Sequence, residues 1–280
     1  MPSVLITGTS SGIGLVSAVE MARRGWTVIA SMRDPGRGER LREAAARAGV
    51  ADRVAIEALD VTDAAALPDA LARVLARAGG RLDAVVHNAG IATAGAFEDL
   101  PEAELRRVME TNFFAVLALT RALLPTFRAQ RRGRIVVVSS NSAFAGEPAN
   151  SIYVASKWAI EGWAESLAYE VERFGIELVL IEPGPYRTEI WQSSPRILPE
   201  GSAYTPWLRQ LEVAIDTKVM ASARDPREVA TAIATALEAV KPRFRYPVSP
   251  QAWIGHLMRG VVPTRAQRWL VTRFLGLKAG

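Results

Sequence analysis

Tyr153 and Lys157 stand four residues apart in a stretch with helical periodicity, so their side chains share one helix face. Ser140 lies upstream, at the end of an apolar run that reads as a strand. A phenol is normally too weak an acid to exchange a proton near neutrality. A neighbouring ammonium favours the phenolate and lowers that pKa. A serine hydroxyl beside them can hydrogen-bond a substrate oxygen. The three groups can therefore move a proton while another agent moves electrons. A Tyr-x-x-x-Lys pair on a helix is common for structural reasons, so this chemistry needs a second feature.

The second feature is the run Thr7-Gly8-Thr9-Ser10-Ser11-Gly12-Ile13-Gly14, set between the first apolar strand and the first helix. Gly8, Gly12 and Gly14 permit a tight turn and a close approach of backbone to a pyrophosphate, and the helix N-terminus supplies free N–H groups. The spacing is G-x-x-x-G-x-G rather than the commoner G-x-G-x-x-G. At the end of the second strand the run is Ala30-Ser31-Met32-Arg33-Asp34-Pro35. An acid there would read the ribose 2′-OH of NAD. Met32 occupies that place and Arg33 follows, which predicts a 2′-phosphate and hence NADP(H), with Ser11 adding a phosphate hydrogen bond. Asp34 is the rival, either as a ribose reader or as a turn cap before Pro35. Asp60-Val61, ending the third strand, reads either as an adenine-edge contact or as turn chemistry.

These residues must be held by alternating strands and helices. Strands are expected at 4–7, 27–31, 54–59, 84–87, 135–139 and 177–182, most of them nearly continuous in hydrophobicity, as in parallel strands covered on both faces. Helices are expected at 14–24, 38–48, 64–78, 102–130 and 151–174, then at about 225–240. The expected fold is α/β: a doubly wound, Rossmann-like parallel sheet with helices on both faces. One dinucleotide-binding and catalytic domain is expected over 1–250. Residues 185–224 are read as a substrate loop or lid, with 245–248 as a last strand. A C-terminal extension over 251–280 is expected to pack on that domain.

Composition narrows the class further. The chain has 280 residues, no cysteine and two histidines far apart, His87 and His256. Disulfides, thiol catalysis and Cys-ligated metals are excluded, and no metal site is expected. The charge of +5 comes without a basic stripe interleaved with aromatics, so no nucleic-acid partner is expected. No apolar run reaches the roughly 18 residues of a membrane span, and no signal peptide is read, so a cytoplasmic location is expected.

Taken in order, Thr7–Gly14, Asn88-Ala89-Gly90, Asn112, Ser140, Tyr153-x-x-x-Lys157 and Pro183-Gly184 strongly resemble the short-chain dehydrogenase/reductase family over roughly residues 3–190. The segments Ala30–Pro35 and Ala155–Gly162 further resemble the branch containing 17β-hydroxysteroid and retinol dehydrogenases. The resemblance implies a tetrad of Asn112, Ser140, Tyr153 and Lys157. Tyr153 would be the acid/base. Lys157 would lower its pKa and hold the nicotinamide ribose, Ser140 would orient a carbonyl, and Asn112 would place a water in a proton relay at a helix kink. It also implies that Asn88, Ala89 and Gly90 line the cofactor ribose. Ile13 would approach the phosphates through its backbone, and Thr188 would meet the carboxamide or pyrophosphate. Two departures stand out: His87 precedes the Asn-Ala-Gly, where a packed imidazole is expected, and Tyr186 follows Pro183-Gly184, where its bulk would narrow the pocket.

The reaction expected is hydride transfer between nicotinamide and an alcohol or carbonyl carbon of a lipophilic substrate. Its walls are read as Ser142, Phe144, Glu147, Pro148, Tyr186 and Trp191, with the aromatic loop through Trp207. Glu147 is either a polar anchor or an exposed carboxylate. A homo-oligomer through the two long helices is expected, although Trp158, Trp163, Ala164 and Leu167 also fit a core. The tail carries Trp253, Leu257, Trp269, Phe274 and Leu275 among Arg259, Arg265, Arg268, Arg273 and Lys278. Pro263 splits it, so closure over the site is favoured above contact with a membrane. Alternatives are a non-catalytic NADP(H)-sensing protein on this fold and a peripheral membrane-associated reductase.

Overall fold

The computed structural model describes residues 1–258 and 260–277, without the side chains of Trp191 and Gln192. The strands are β1 (Ser3–Thr7), β2 (Thr27–Met32), β3 (Val54–Ala58), β4 (Ala84–His87), β5 (Gly133–Val138), β6 (Ile176–Pro183) and β7 (Arg245–Val248). They form one parallel sheet in the order β3-β2-β1-β4-β5-β6-β7. The helices are α1 (Gly12–Arg23), α2 (Glu39–Arg47), α3 (Leu67–Arg77), α4 (Glu102–Met109), α5 (Ala115–Gln130), α6 (Ser151–Val171), α7 (Thr205–Ala214), α8 (Arg227–Glu238), α9 (Pro250–Met258) and α10 (Thr264–Leu275).

The near-continuous apolar strands divide by alternation, because successive side chains point to opposite faces. Val4 and Ile6 of β1, with Val28 and Ala30 of β2, pack on Ala18 and Met21 of α1, Leu41 of α2 and Ile233 of α8. Leu5, Ile29 and Val85 face the other way, onto Val74 of α3, Leu119 and Phe127 of α5 and Ile160 of α6. Both sheet faces are covered, as expected for a doubly wound α/β fold.

Three local features depart from the sequence reading. The helix expected at 102–130 contains a π-turn at Glu110–Phe114, which places Asn112 inward and buried. The segment 185–224 contains α7, whose Leu208, Leu211 and Ala214 form a small third core with Ala96 and Leu275. A short parallel bridge also joins Ala94–Gly95 to Arg196–Ile197. The stretch Glu102–Gln130 is apolar and long enough to cross a membrane by length and composition. It lies against the sheet through Val116, Leu119, Leu123 and Phe127, as a core helix does. Ala164 and Leu167 are likewise core, with Trp163 packed against them, whereas Trp158 is exposed.

The extension touches the domain through Ala252, Val271, Leu275 and Leu277, but leaves Trp253, Leu257, Trp269 and Phe274 outside. Arg259 and Lys278 lie outside the described residues.

Buried charge ties β7 to α6. Arg245 bridges Glu161 and Glu165 of α6 and, at 2.6 Å, Glu182 of β6, with Glu161 and Glu182 fully buried. His256 Nδ1 of α9 lies 3.6 Å from Glu182. Removing one partner of a buried ion cluster strands the others. Arg245→Ala is expected to cost about 3–5 kcal/mol, lowering Tm by at least about 6 °C. Thermal unfolding followed by circular dichroism measures this, and an unchanged Tm would contradict it.

Candidate active site

Strand β1 ends at Thr7, and its side chain begins the site. The backbone N–H groups of Asn88 and Ala89 each donate to Thr7 Oγ1 at 3.0 Å. The Asn88 amide donates to the carbonyls of Thr7 at 2.8 Å and Gly8 at 3.1 Å. The loops after β1 and β4 are thereby clamped together. Gly8 adopts φ +70°, and a Cβ there would lie 2.8 Å from Ala89 Cα; a Cβ on Gly14 would lie 2.2 Å from Gly8 O. Only glycine fits either position.

Ser11 precedes α1 in extended conformation, and its side chain makes no capping hydrogen bond. Ser10 and Gly12 line the same turn, and Ile13 turns its side chain onto the adjoining core. The first turn of α1 presents N–H groups and the positive end of the helix dipole. An anion already rests there: the Glu189 carboxylate accepts from the Gly12 N–H and pairs with Arg40 at 2.7 Å. Thr188 packs beside it, 3.4 Å from a Cβ placed on Gly12. Sequence reading assigned Thr188 but not Glu189 or Arg40, since their meeting depends on how the segment after Pro183-Gly184 folds back over the loop.

At the end of β2 the alternatives separate. Asp34 Oδ1 accepts from Gly36 N–H at 2.8 Å, so its carboxylate caps a turn. Arg33 is exposed. Asp60 also serves a turn, accepting from the Thr62 N–H at 3.0 Å and hydroxyl at 2.7 Å, while Val61 packs on the core.

The tetrad residues converge at the carboxyl ends of β4 and β5. Asn112 exchanges hydrogen bonds with the backbone of Ile91, both at 2.9 Å, and donates to Ser156 Oγ at 3.0 Å. The π-turn makes that reach possible. A Cβ on Gly90 would lie 3.4 Å from Asn112 Oδ1 and 4.0 Å from Lys157 Nζ, so these groups surround one point. Lys157 Nζ donates to Val138 O at 3.0 Å and sits 5.6 Å from the Tyr153 ring centre. Burial lowers the Lys157 pKa to about 8, against the field of Glu161 one turn along.

Tyr153 differs from expectation. Burial raises its pKa to about 12; a hydrogen bond from Ser140 works in the opposite direction, and the charge of Glu147 reinforces the rise. The Lys157 ammonium is spent on a carbonyl and is itself desolvated, so it does not offset the burial of the phenol.

Ser140 continues into a hydrogen-bonded run. Its Oγ accepts from Ser142 N–H at 3.1 Å, Ser142 Oγ donates to Glu147 at 2.7 Å, and the Asn150 amide donates to the other Glu147 oxygen at 2.7 Å. Glu147 is therefore an internal anchor rather than an exposed carboxylate, and burial holds its pKa above the usual range. Trp158, missed as a site residue, donates from its indole to Ser142 O at 3.1 Å and fixes this loop to α6.

One expected wall residue, Tyr186, lies elsewhere. Tyr186 turns into the core beside Val229 and Ile233, and its hydroxyl donates to Glu228 at 3.2 Å. It does not narrow the pocket; the bridge between Tyr186 and Arg224 directs it towards α8. The Trp191 side chain lies outside the described residues. Phe144 is buried beneath α9, edge-on to His256 at 5.6 Å. His87 is the packed imidazole expected, sharing a 2.9 Å hydrogen bond with Thr120 and kept neutral by burial, with a pKa lowered to about 3. Gly184 closes the floor, its N–H bound to Val248 O at 3.1 Å.

Comparison with known proteins agrees with this arrangement. The family model described as short chain dehydrogenase matches residues 2–197. An uncharacterized oxidoreductase of Bacillus subtilis, YusZ, is 40% identical over 267 residues, covering 94% of each chain. Human retinol dehydrogenase 8 is 36% identical over 253 residues, covering 87% of this chain and 80% of the relative. A solved short-chain dehydrogenase from Streptomyces avermitilis superposes with a TM-score of 0.78 at 32% identity, covering 99% of this chain and 96% of the other. With a glycine loop on α1, Tyr153 and Lys157 on one face of α6 and Ser140 opposite them, the chain belongs to the short-chain dehydrogenase family and is an oxidoreductase of the nicotinamide-dependent kind.

Proposed function

We propose that this oxidoreductase uses NADP(H) and interconverts an alcohol and a carbonyl on a lipophilic substrate, with Tyr153 as acid/base. One observation carries the reading: at the carboxyl edge of the sheet Asn112 and Lys157 meet beside Gly90, Lys157 lies over the Tyr153 ring, and Tyr153 is hydrogen-bonded to Ser140. Ligands of doubly wound sheets bind at that edge.

The residues fit the cofactor. The Glu189 carboxylate on Gly12 N–H shows that the start of α1 accepts an anion, and Gly8 and Gly14 keep the backbone free of side chains there. Gly8 to Gly14 would hold the pyrophosphate, with Thr188 beside it, and Asn88 to Gly90 and Lys157 would hold the nicotinamide ribose. When bound, nicotinamide supplies or accepts the hydride. Arg33 supports the phosphorylated form of the cofactor, since Met32 carries no charge and Asp34 is committed to its turn.

The chain supplies the rest. Ser140 hydrogen-bonds the substrate oxygen. Tyr153 gives that oxygen a proton in reduction or removes one in oxidation. Burial keeps the Tyr153 phenol in its protonated form near neutrality, the form that can donate to the substrate oxygen in reduction. Lys157 replenishes the proton, and the contact from Asn112 through Ser156 to the Tyr153 carbonyl fixes the helix turn bearing both groups. The loop after Ser140 carries Pro148 and an internally satisfied polar pair, Ser142–Glu147, a composition with few free polar anchors that suits a lipophilic substrate. The sensor alternative is less well supported, because the buried Lys157 beside Tyr153 costs desolvation that a binding protein has no use for. Cytoplasmic placement and a homo-oligomer joined through exposed helix residues, such as Phe114, Trp158 and Tyr169, complete the reading.

Two measurements test it. Tyr153→Phe is expected to lower kcat by about 10²–10⁴ while leaving NADPH binding in place. Turnover near wild type by the folded variant would refute the assignment. Arg33→Ala is expected to weaken NADPH binding by about 1.5–3 kcal/mol and leave NADH binding unchanged. A wild-type enzyme with equal or higher kcat/KM for NADH would overturn the cofactor preference.

A further inference from the structure

The net positive charge of this protein sits in one place. Of 34 Lys and Arg, five lie past residue 250, at Arg259, Arg265, Arg268, Arg273 and Lys278, and that stretch contains no Asp or Glu. Residues 1–250 hold 29 of each sign and are neutral, so the whole net charge of +5 belongs to the last thirty residues.

The same stretch exposes its largest apolar side chains. Trp253, Ile254 and Leu257 of α9 are 43%, 57% and 67% exposed, and Trp269, Leu270 and Phe274 of α10 are 60%, 42% and 57% exposed. Each trio follows i, i+1 and i+4 or i+5 spacing, which gives one outward stripe per helix. The inward side of α10 is separately satisfied: Val271 and Leu275 pack on α7, and Lys218 Nζ donates to Phe274 O at 2.7 Å. The outward stripe is therefore additional to what holds the helix in place. Arginines border it. Arg265, Arg268 and Arg273 are exposed, and the Arg273 guanidinium lies 5.6 Å from the Trp269 ring centre. Arg243 stands likewise 6.0 Å from the Trp253 ring centre.

We propose that α9 and α10 form a docking surface for an anionic lipid bilayer. Indole and phenyl groups enter the boundary between headgroups and acyl chains, and guanidinium groups pair with lipid phosphates above them. A protein partner would have to match two separate apolar stripes in shape. A bilayer imposes no such match, and an acid-free basic segment on an otherwise neutral chain is what a negative surface attracts. Neither helix is long enough to anchor alone, so attachment is reversible and needs both charge and apolar insertion.

Co-sedimentation of the full chain, without cofactor or substrate, tests this apart from the reading of the reaction. The probes are vesicles of neutral phosphatidylcholine and vesicles containing about one-third phosphatidylglycerol. Wild type is expected to pellet with the anionic vesicles, to stay in solution with the neutral ones, and to be released by high salt. Arg265→Gln, Arg268→Gln and Arg273→Gln are expected to weaken binding about fivefold each. Trp269→Ser with Phe274→Ser should weaken it tenfold or more. All five positions are exposed, so an unchanged Tm and unchanged NADPH oxidation identify the loss as one of docking. Absence of anionic-vesicle binding by wild type overturns the proposal, as does equal binding to both vesicles. Light scattering that shows an oligomer dissociated by the Trp269/Phe274 pair would assign the stripe to a second copy and overturn it also.

Discussion

The site depends first on the clamp between the carboxyl ends of β1 and β4. The Thr7 hydroxyl accepts two backbone N–H groups from the Asn88-Ala89 turn, and the Asn88 amide returns two hydrogen bonds to the Thr7 and Gly8 carbonyls. Parallel strands end without a hairpin to join them, so neighbouring loops have no covalent reason to stay together. Here a side chain from each loop satisfies the backbone of the other. The close contact forbids a Cβ on Gly8 and on Gly14, and so leaves bare backbone at the start of α1. One interaction thus makes the anion site and sets Gly90 beside Lys157.

Charge burial is the second constraint, and the chain handles it by relay. Lys157 is desolvated next to Tyr153, with Glu161 one helical turn away. Glu161 is itself fully buried and is neutralised by Arg245, which also pairs with Glu182 and Glu165. An isolated ammonium at Lys157 would lose its proton more readily still; the field of Glu161 opposes that loss, and Arg245 pairs with Glu161. The catalytic helix is consequently tied to the last strand of the sheet by the same groups that tune it.

Much of this was legible in the residues. Near-continuous apolar runs gave six strands within a residue or two, and 245–248 was read with its observed ends, because β-branched runs bounded by Gly and Pro have few other uses. The glycine loop, Ser140, Tyr153 and Lys157 were legible because spacing on one helix and position at a strand end are local properties. The rest required tertiary contact. The π-turn at Glu110–Phe114 has no sequence period of its own, and it forms where Asn112 reaches Ile91 and Ser156. Tyr186 was misplaced because the direction of a residue after Pro-Gly is decided by Arg224 and Glu228, some forty positions on. Helix α7 was read as loop because its apolar residues are completed by Leu275, from the far end of the chain.

That dependence on the C-terminus reaches the cofactor side of the site as well. Ser249 adopts φ +101°, an unfavourable conformation for a residue with a side chain. Its Oγ accepts from Ala252 N–H at 3.2 Å, and its carbonyl accepts from Trp253 N–H at 3.1 Å, so it starts α9. The same side chain fills the space where Gly184 lacks a Cβ, which would lie 2.4 Å from Ser249 Oγ. Gly184 belongs to the turn that follows β6 and leads into Thr188 and Glu189 over the glycine loop. At its other end α9 lays Gly255 on Phe144, a Cβ there lying 3.0 Å from the ring, and Phe144 continues the Ser140–Ser142 loop. This nine-residue helix, with the Ser249 that starts it, therefore touches both the cofactor-side turn and the substrate-side loop.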